Sequence, residues 1–190
     1  MGTITNGLVA ATLLLSPLPA TAATLLGSNI SAEYRYPDLA TPYGPVVYTP
    51  QSFVVGGGQE SNISLEGVTT FNVDFSAASL DIAFDTTLDN PTFLNTGFNG
   101  LVFTSDAFSE FTGVTVRGIT NLSGFDSSHV TLVGNELQIN WGGLSYNTNT
   151  VVALDFSSAI PEPATWLMII GGLTLVGASM RRRKVATAFA

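Results

Sequence analysis

Asp81, Asp85 and Asp89 recur every four residues with Asn90 adjacent, a spacing that gathers oxygen ligands. On a helix they would share a face, but Leu80, Ile82 and Phe84 alternate with Asp81 and Ala83. That period of two indicates a strand, with Asp81 and Asp85 on its outward side. Asp85 to Asn90 would then close a loop offering carboxylate and amide oxygens to calcium. The competing reading is a solvated acidic surface. Glu60, Glu66, Glu110 and Glu136 supply carboxylates of the kind that work in pairs in glycoside hydrolysis, where roughly 5 to 9 Å must separate them. Acids are abundant in this chain and no pair stands out, so the sequence leads to the expectation of a protein that is not an enzyme. His129 is the only histidine, and one imidazole supplies too few ligands for zinc. The neighbouring Asp126 and Ser127 do not make it a catalytic base, because a catalytic partner must be placed in space.

A second constellation is aromatic. Tyr34, Tyr36, Tyr43 and Tyr48 cluster among Pro37, Pro42, Pro45 and Pro50, where they could stack on sugar rings or serve as half-buried packing.

These groups need strands to position them. Phe71, Val73 and Phe75 alternate with polar residues, as do Leu137, Ile139 and Trp141, and Val152, Leu154 and Phe156. Further strands are expected at Ser31 to Tyr36, Val46 to Val55, Ser61 to Leu65, Gly100 to Thr104, Thr112 to Arg117 and His129 to Val133. Gly134-Asn135 reads as a tight hairpin turn, and Ala107 to Phe111 as at most one helical turn. Nine or ten short strands predict an all-β domain over 23–160, an antiparallel β-sandwich with a jelly-roll-like topology as one form. The chain has 12 phenylalanines and no cysteine, so burial alone must hold this core together. Of its 14 acids all but Glu162 lie in 23–160, against the cations Arg35 and Arg117, a formal net of about −11 there. Such a balance disfavours binding nucleic acid through its phosphates.

The two ends have a different composition. Leu8 to Leu18 is apolar and Ala20-Thr21-Ala22 offers small residues for cleavage, so 1–22 reads as a signal peptide, although Met1 to Gly7 has no lysine or arginine. At the other end Pro161-Glu162-Pro163 precedes the uncharged run Ala164 to Met180, followed by Arg181-Arg182-Arg183-Lys184 and a short tail, 185–190. The prolines favour an extended segment that a processing enzyme can grip. As a helix, 164–180 would be roughly 25 Å long, against a hydrocarbon core of about 30 Å. The expectation is a C-terminal transmembrane helix, Trp166 at one interface and the cations at the cytoplasmic one.

This tail, from Pro161 through Arg183, resembles the PEP-CTERM sorting signal of Gram-negative bacteria, in the variant with a tryptophan three residues after the second proline. The resemblance assigns Pro161, Glu162 and Pro163 to recognition, with Trp166, Arg181, Arg182 and Arg183 completing the sorting and processing motif of 161–184. It implies an exosortase-type membrane processing enzyme as partner and transient anchoring in the inner membrane with the C-terminus cytoplasmic. It further implies transfer to the cell surface or extracellular matrix and is silent on activity; the expectation for the exported domain is a non-enzymatic structural or adhesive role linked to exopolysaccharide. A carbohydrate-binding module, or a glycan-active hydrolase, is the alternative for 23–160. The sequence assigns no catalytic residue, metal or cofactor.

Overall fold

Where apolar and polar residues alternate, the chain pairs into antiparallel strands that form two sheets. The computed structural model describes residues 22–158, 169–174, 176–177 and 180. Its strands are β1 (Asn29–Arg35), β2 (Val46–Thr49), β3 (Ser52–Val54), β4 (Ser61–Leu65), β5 (Thr69–Phe75), β6 (Ser79–Thr86), β7 (Gly100–Thr104), β8 (Phe111–Val116), β9 (Val130–Val133), β10 (Glu136–Asn140) and β11 (Val151–Ser158). One sheet runs β3-β1-β7-β10-β9, the other β2-β4-β5-β6-β11-β8.

The inward residues of both sheets meet in one buried cluster. Ile30, Ala32, Leu101, Phe103, Leu137 and Ile139 come from the first sheet, and Ile63, Phe71, Val73, Leu80, Ile82, Val152 and Leu154 from the second. Rings lock the layers together. Phe75 of β5 meets Phe103 of β7 edge to face at 5.2 Å, and Phe71 stacks on Tyr34 of β1 at 5.9 Å and on Trp141 at 5.0 Å. Each fully buried large side chain contributes about 1.5–3 kcal/mol, and no disulfide assists. At the start of β7, Gly100 is required by close approach: a Cβ there would overlap the Ile139 carbonyl of β10.

Several expectations need correction. Val46 to Val55 is two strands in different sheets, because Pro50 lacks an N–H for a ladder and the chain crosses over there. Among the described residues the jelly-roll-like order is not found: β4, β5 and β6 lie side by side as a meander, and eleven strands are present rather than the eight of two Greek keys. The tight hairpin expected at Gly134-Asn135 is found between β9 and β10, with positive φ at Gly134 (59°) and not at Asn135, the sign pattern of a II′ turn, for which Gly-first order is the suitable one.

The transmembrane helix expected over 164–180 is also corrected. Among the described residues no helix is long and apolar enough to cross a membrane. The helical residues described there include Gly171 and Gly172, which weaken a helix relative to alanine. With the helix goes its corollary, a transient inner-membrane anchor with a cytoplasmic C-terminus. Of the signal peptide expected over 1–22, residues 1–21 lie outside the described residues, as do the motif residues Pro161, Glu162, Pro163 and Trp166 and the cations Arg181, Arg182 and Arg183.

Candidate functional site: an aromatic cleft at one end of the sandwich

Tyr34 sits on β1 in phase with Ile30 and Ala32, so its ring points into the core. Two residues further the chain leaves the sheet, and Tyr36 and Tyr43 end up beside each other, edge to face at 5.4 Å. Backbone bonds fold this loop back: Tyr43 N donates to Tyr34 O at 2.9 Å and Tyr36 N to Thr41 O at 3.0 Å. Opposite lies the turn between β4 and β5, where Glu66 (φ 54°) and Gly67 (φ 70°) both take left-handed conformations. A non-glycine residue in that region is uncommon. Glu66 is held there by its own N–H to Pro45 O at 2.9 Å and by the Tyr43 hydroxyl, which donates to Glu66 Oε1. The remaining wall comes from two loops stitched together, with Phe93 N to Leu144 O and Tyr146 N to Pro91 O both at 3.0 Å.

The result is a cavity of about 230 Å³, lined by Tyr36, Tyr43, Leu65, Glu66, Leu88 and Leu94, with Tyr34, Phe93, Asn99 and Tyr146 deeper in. Its floor is fully hydrogen-bonded. The Tyr34 hydroxyl donates to Asn99 Oδ1 at 2.7 Å and accepts from Trp141 Nε1 at 3.0 Å, while Asn99 Nδ2 donates to Leu94 O at 3.1 Å. Burial pushes the Tyr34 phenol far above its ordinary range, and that of Tyr146 upward too. Tyr43 is pushed up to about 12, chiefly because its O–H bonds to the Glu66 carboxylate, which favours the protonated phenol. In an ultraviolet pH titration Tyr43 is therefore expected to ionise near pH 12. Glu66→Gln, by removing the negative charge, should return it toward about 10; an unmoved titration would show that the pair does not form in solution.

The sequence-derived candidates fall out unevenly. Of the four tyrosines only Tyr36 and Tyr43 are half-exposed in the cleft. Tyr34 is 1% exposed, and the Tyr48 hydroxyl accepts from the Tyr34 backbone N–H at 2.8 Å. The aspartates do not converge. Asp81 pairs with Arg117, which also approaches Asp155 at 3.3 Å; Asp85 accepts from Thr148 at 3.4 Å; Asp89 accepts from Asn90 at 3.0 Å. Among the described residues no group of three acidic, histidine or cysteine side chains could hold a metal ion. The glutamates are occupied separately. Glu60 accepts from the backbones of Gly56 (2.9 Å) and Phe75 (2.7 Å), and Glu136 accepts from Gln138 at 2.9 Å and faces Arg35 at 3.7 Å. Glu110 ends a short 3₁₀ turn, Asp106–Glu110.

His129 closes a capping box with Asp126 and stacks on Phe125 at 5.2 Å. Asp126 is held below the usual carboxylate range by the Ser128 hydroxyl and N–H, then by His129. The sequence singled out neither Phe93, Asn99 nor Tyr146 for this cleft. The first and last belong to loops about fifty residues apart, joined by the Thr92–Ser145 bridge.

The fold and cleft thus define a class: an antiparallel two-sheet β domain with an aromatic-walled recess. The chain carries, in addition, a PEP-CTERM protein-sorting motif, which matches residues 159–184. It matches no curated protein and no solved structure.

Proposed function

We propose that this chain is an exported cell-surface or extracellular-matrix protein, with a non-enzymatic structural or adhesive role linked to exopolysaccharide. The observation that carries the reading is the sorting motif at 159–184, placed after an all-β domain. PEP-CTERM motifs are generally processed by exosortase-type enzymes, and such an enzyme is the proposed partner of this tail. A non-catalytic role is supported by how the acids are used. The cleft holds one carboxylate, Glu66, which is bonded to Tyr43, and Glu60 and Glu136 are bound up in the scaffold. Asp81 and Asp155 flank Arg117 on the outer face of the second sheet, and Glu33 pairs with Arg35 at 2.7 Å on the first.

The tail is tested by changing Pro161 and Glu162 to alanine and fractionating cells. The variant is expected to stay cell-associated at its unprocessed mass, while the parent protein reaches the surface or medium in shortened form. Identical mass and location for the two would remove the sorting reading.

A further inference from the structure

Three tyrosine hydroxyls around the cleft have spent their protons inside the protein. Tyr34 donates to Asn99 and Tyr43 to Glu66. For Tyr146 the direction follows from a chain. Thr86 gives its proton to the Val68 carbonyl at 3.1 Å, so Thr69 donates to Thr86 at 3.0 Å and Tyr146 donates to Thr69 at 2.8 Å. Tyr43 and Tyr146 therefore retain only acceptor lone pairs, and Glu66 is an acceptor by nature. A ligand that meets Tyr43, Tyr146 and Glu66 must bring donors to them.

Charge narrows the choice. Both arginines of the domain are consumed in ion pairs, Arg35 with Glu33 and Glu136, Arg117 with Asp81 and Asp155, and among the described residues the only other acid paired with a basic side chain is Asp126, with His129. A recess with aromatic walls and a carboxylate at its lip attracts an ammonium group through both ring faces and charge. Size narrows it again. The 230 Å³ cavity is smaller than the roughly 300–1,000 Å³ of pockets for drug-sized ligands, and fits one ring of a longer molecule.

We propose that this cleft binds a cationic amino-sugar residue of a polysaccharide, its ammonium group against Glu66 and its ring against Tyr36 and Tyr43. The inference deepens the adhesive role proposed above and rests on it for its setting. Its test is a binding measurement, so its failure leaves the sorting role standing.

The experiment titrates the full-length protein with glucosamine oligomers in mildly acidic buffer, where their amines are protonated, and with the same oligomers fully N-acetylated. The free amines should bind at least about tenfold more tightly, weakening with salt. Glu66→Gln and Tyr36→Leu should each weaken binding about tenfold, while Glu110→Gln, remote from the cleft, leaves it unchanged. Equal binding of acetylated oligomers would overturn the charge assignment. An equal loss with Glu110→Gln would reduce the effect to diffuse attraction by an acidic surface. A lysine-rich peptide binding as tightly as the sugar, or no binding of either oligomer by the unmodified protein, would also overturn the proposal. The comparison of the two oligomers needs no variant, so misfolding of a mutant cannot obscure it.

Discussion

Phe71→Ala is expected to destabilise the sandwich by about 3–5 kcal/mol, measured by urea unfolding. Phe71 is fully buried and is the hub of the aromatic cluster. It lies 4.9 Å from Phe84 edge to face, and stacks on Trp141 at 5.0 Å, Tyr34 at 5.9 Å and Phe93 at 6.4 Å. Its partners come from both sheets and from the loop under the cleft. Collapse around an alanine would have to move strands already fixed by their ladders, so the lost transfer energy is joined by the cost of a cavity. A domain's whole stability is roughly 5–15 kcal/mol, so this one change removes a large part of it. Val47→Ala, at a side chain 65% exposed, is the control and should shift stability by at most about 0.5 kcal/mol. A Phe71→Ala loss below about 2 kcal/mol would mean that the rings repack freely, and the cluster would not be the element that joins the layers.

That cluster also shows which parts of the fold were legible in the sequence. Phe71, Val73 and Phe75 alternate with polar residues, and β5 forms where they do; Ser61–Leu65 and Gly100–Thr104 are strands with the expected bounds. Period two is local information, and a half-buried sheet writes it directly into the chain. Tyr34 was legible in the same way: in phase with Ile30 and Ala32, it belongs to the inward face and meets the packing alternative, whereas Tyr36, in the same phase, lies beyond the end of β1 at Arg35. What periodicity cannot carry is which loops meet. The pairing of Phe93 with Leu144 depends on the final position of two strand-to-strand connections, and no residue type announces it. Glu66 was visible as an acid, but its place at the lip follows from a turn in which it and Gly67 both adopt positive φ. The tail teaches a different lesson. Its motif is legible from residue order alone, and matches as a motif, whereas the membrane helix inferred from composition is not among the described helices.

Tyr34→Phe is the sharpest test of the cleft floor, because it removes one oxygen and leaves the ring. The packing of Tyr34 on Phe71, Tyr43 and Trp141 is retained, so a change in stability reports hydrogen bonding alone. Without the hydroxyl, Trp141 Nε1 loses its acceptor and Asn99 Oδ1 its donor, both in buried surroundings. Each unsatisfied group costs about 1–3 kcal/mol, so a loss of roughly 2–6 kcal/mol is expected. Tyr48→Phe removes one acceptor from a half-buried site and should cost about 1 kcal/mol. The pH dependence gives a second readout with a definite sign. Burial raises the Tyr34 phenol above its unfolded value, so its contribution is complete below about pH 10 and declines as pH climbs beyond that, where the unfolded chain ionises first. Tyr34→Phe should remove this share of the alkaline decline, leaving the shares of Tyr43 and Tyr146, while lowering stability at neutral pH. If instead the variant were as stable as the parent at neutral pH, a water molecule would have to be replacing the hydroxyl. The floor of the cleft would then be a hydrated, adaptable surface rather than the fixed one on which the aromatic walls depend.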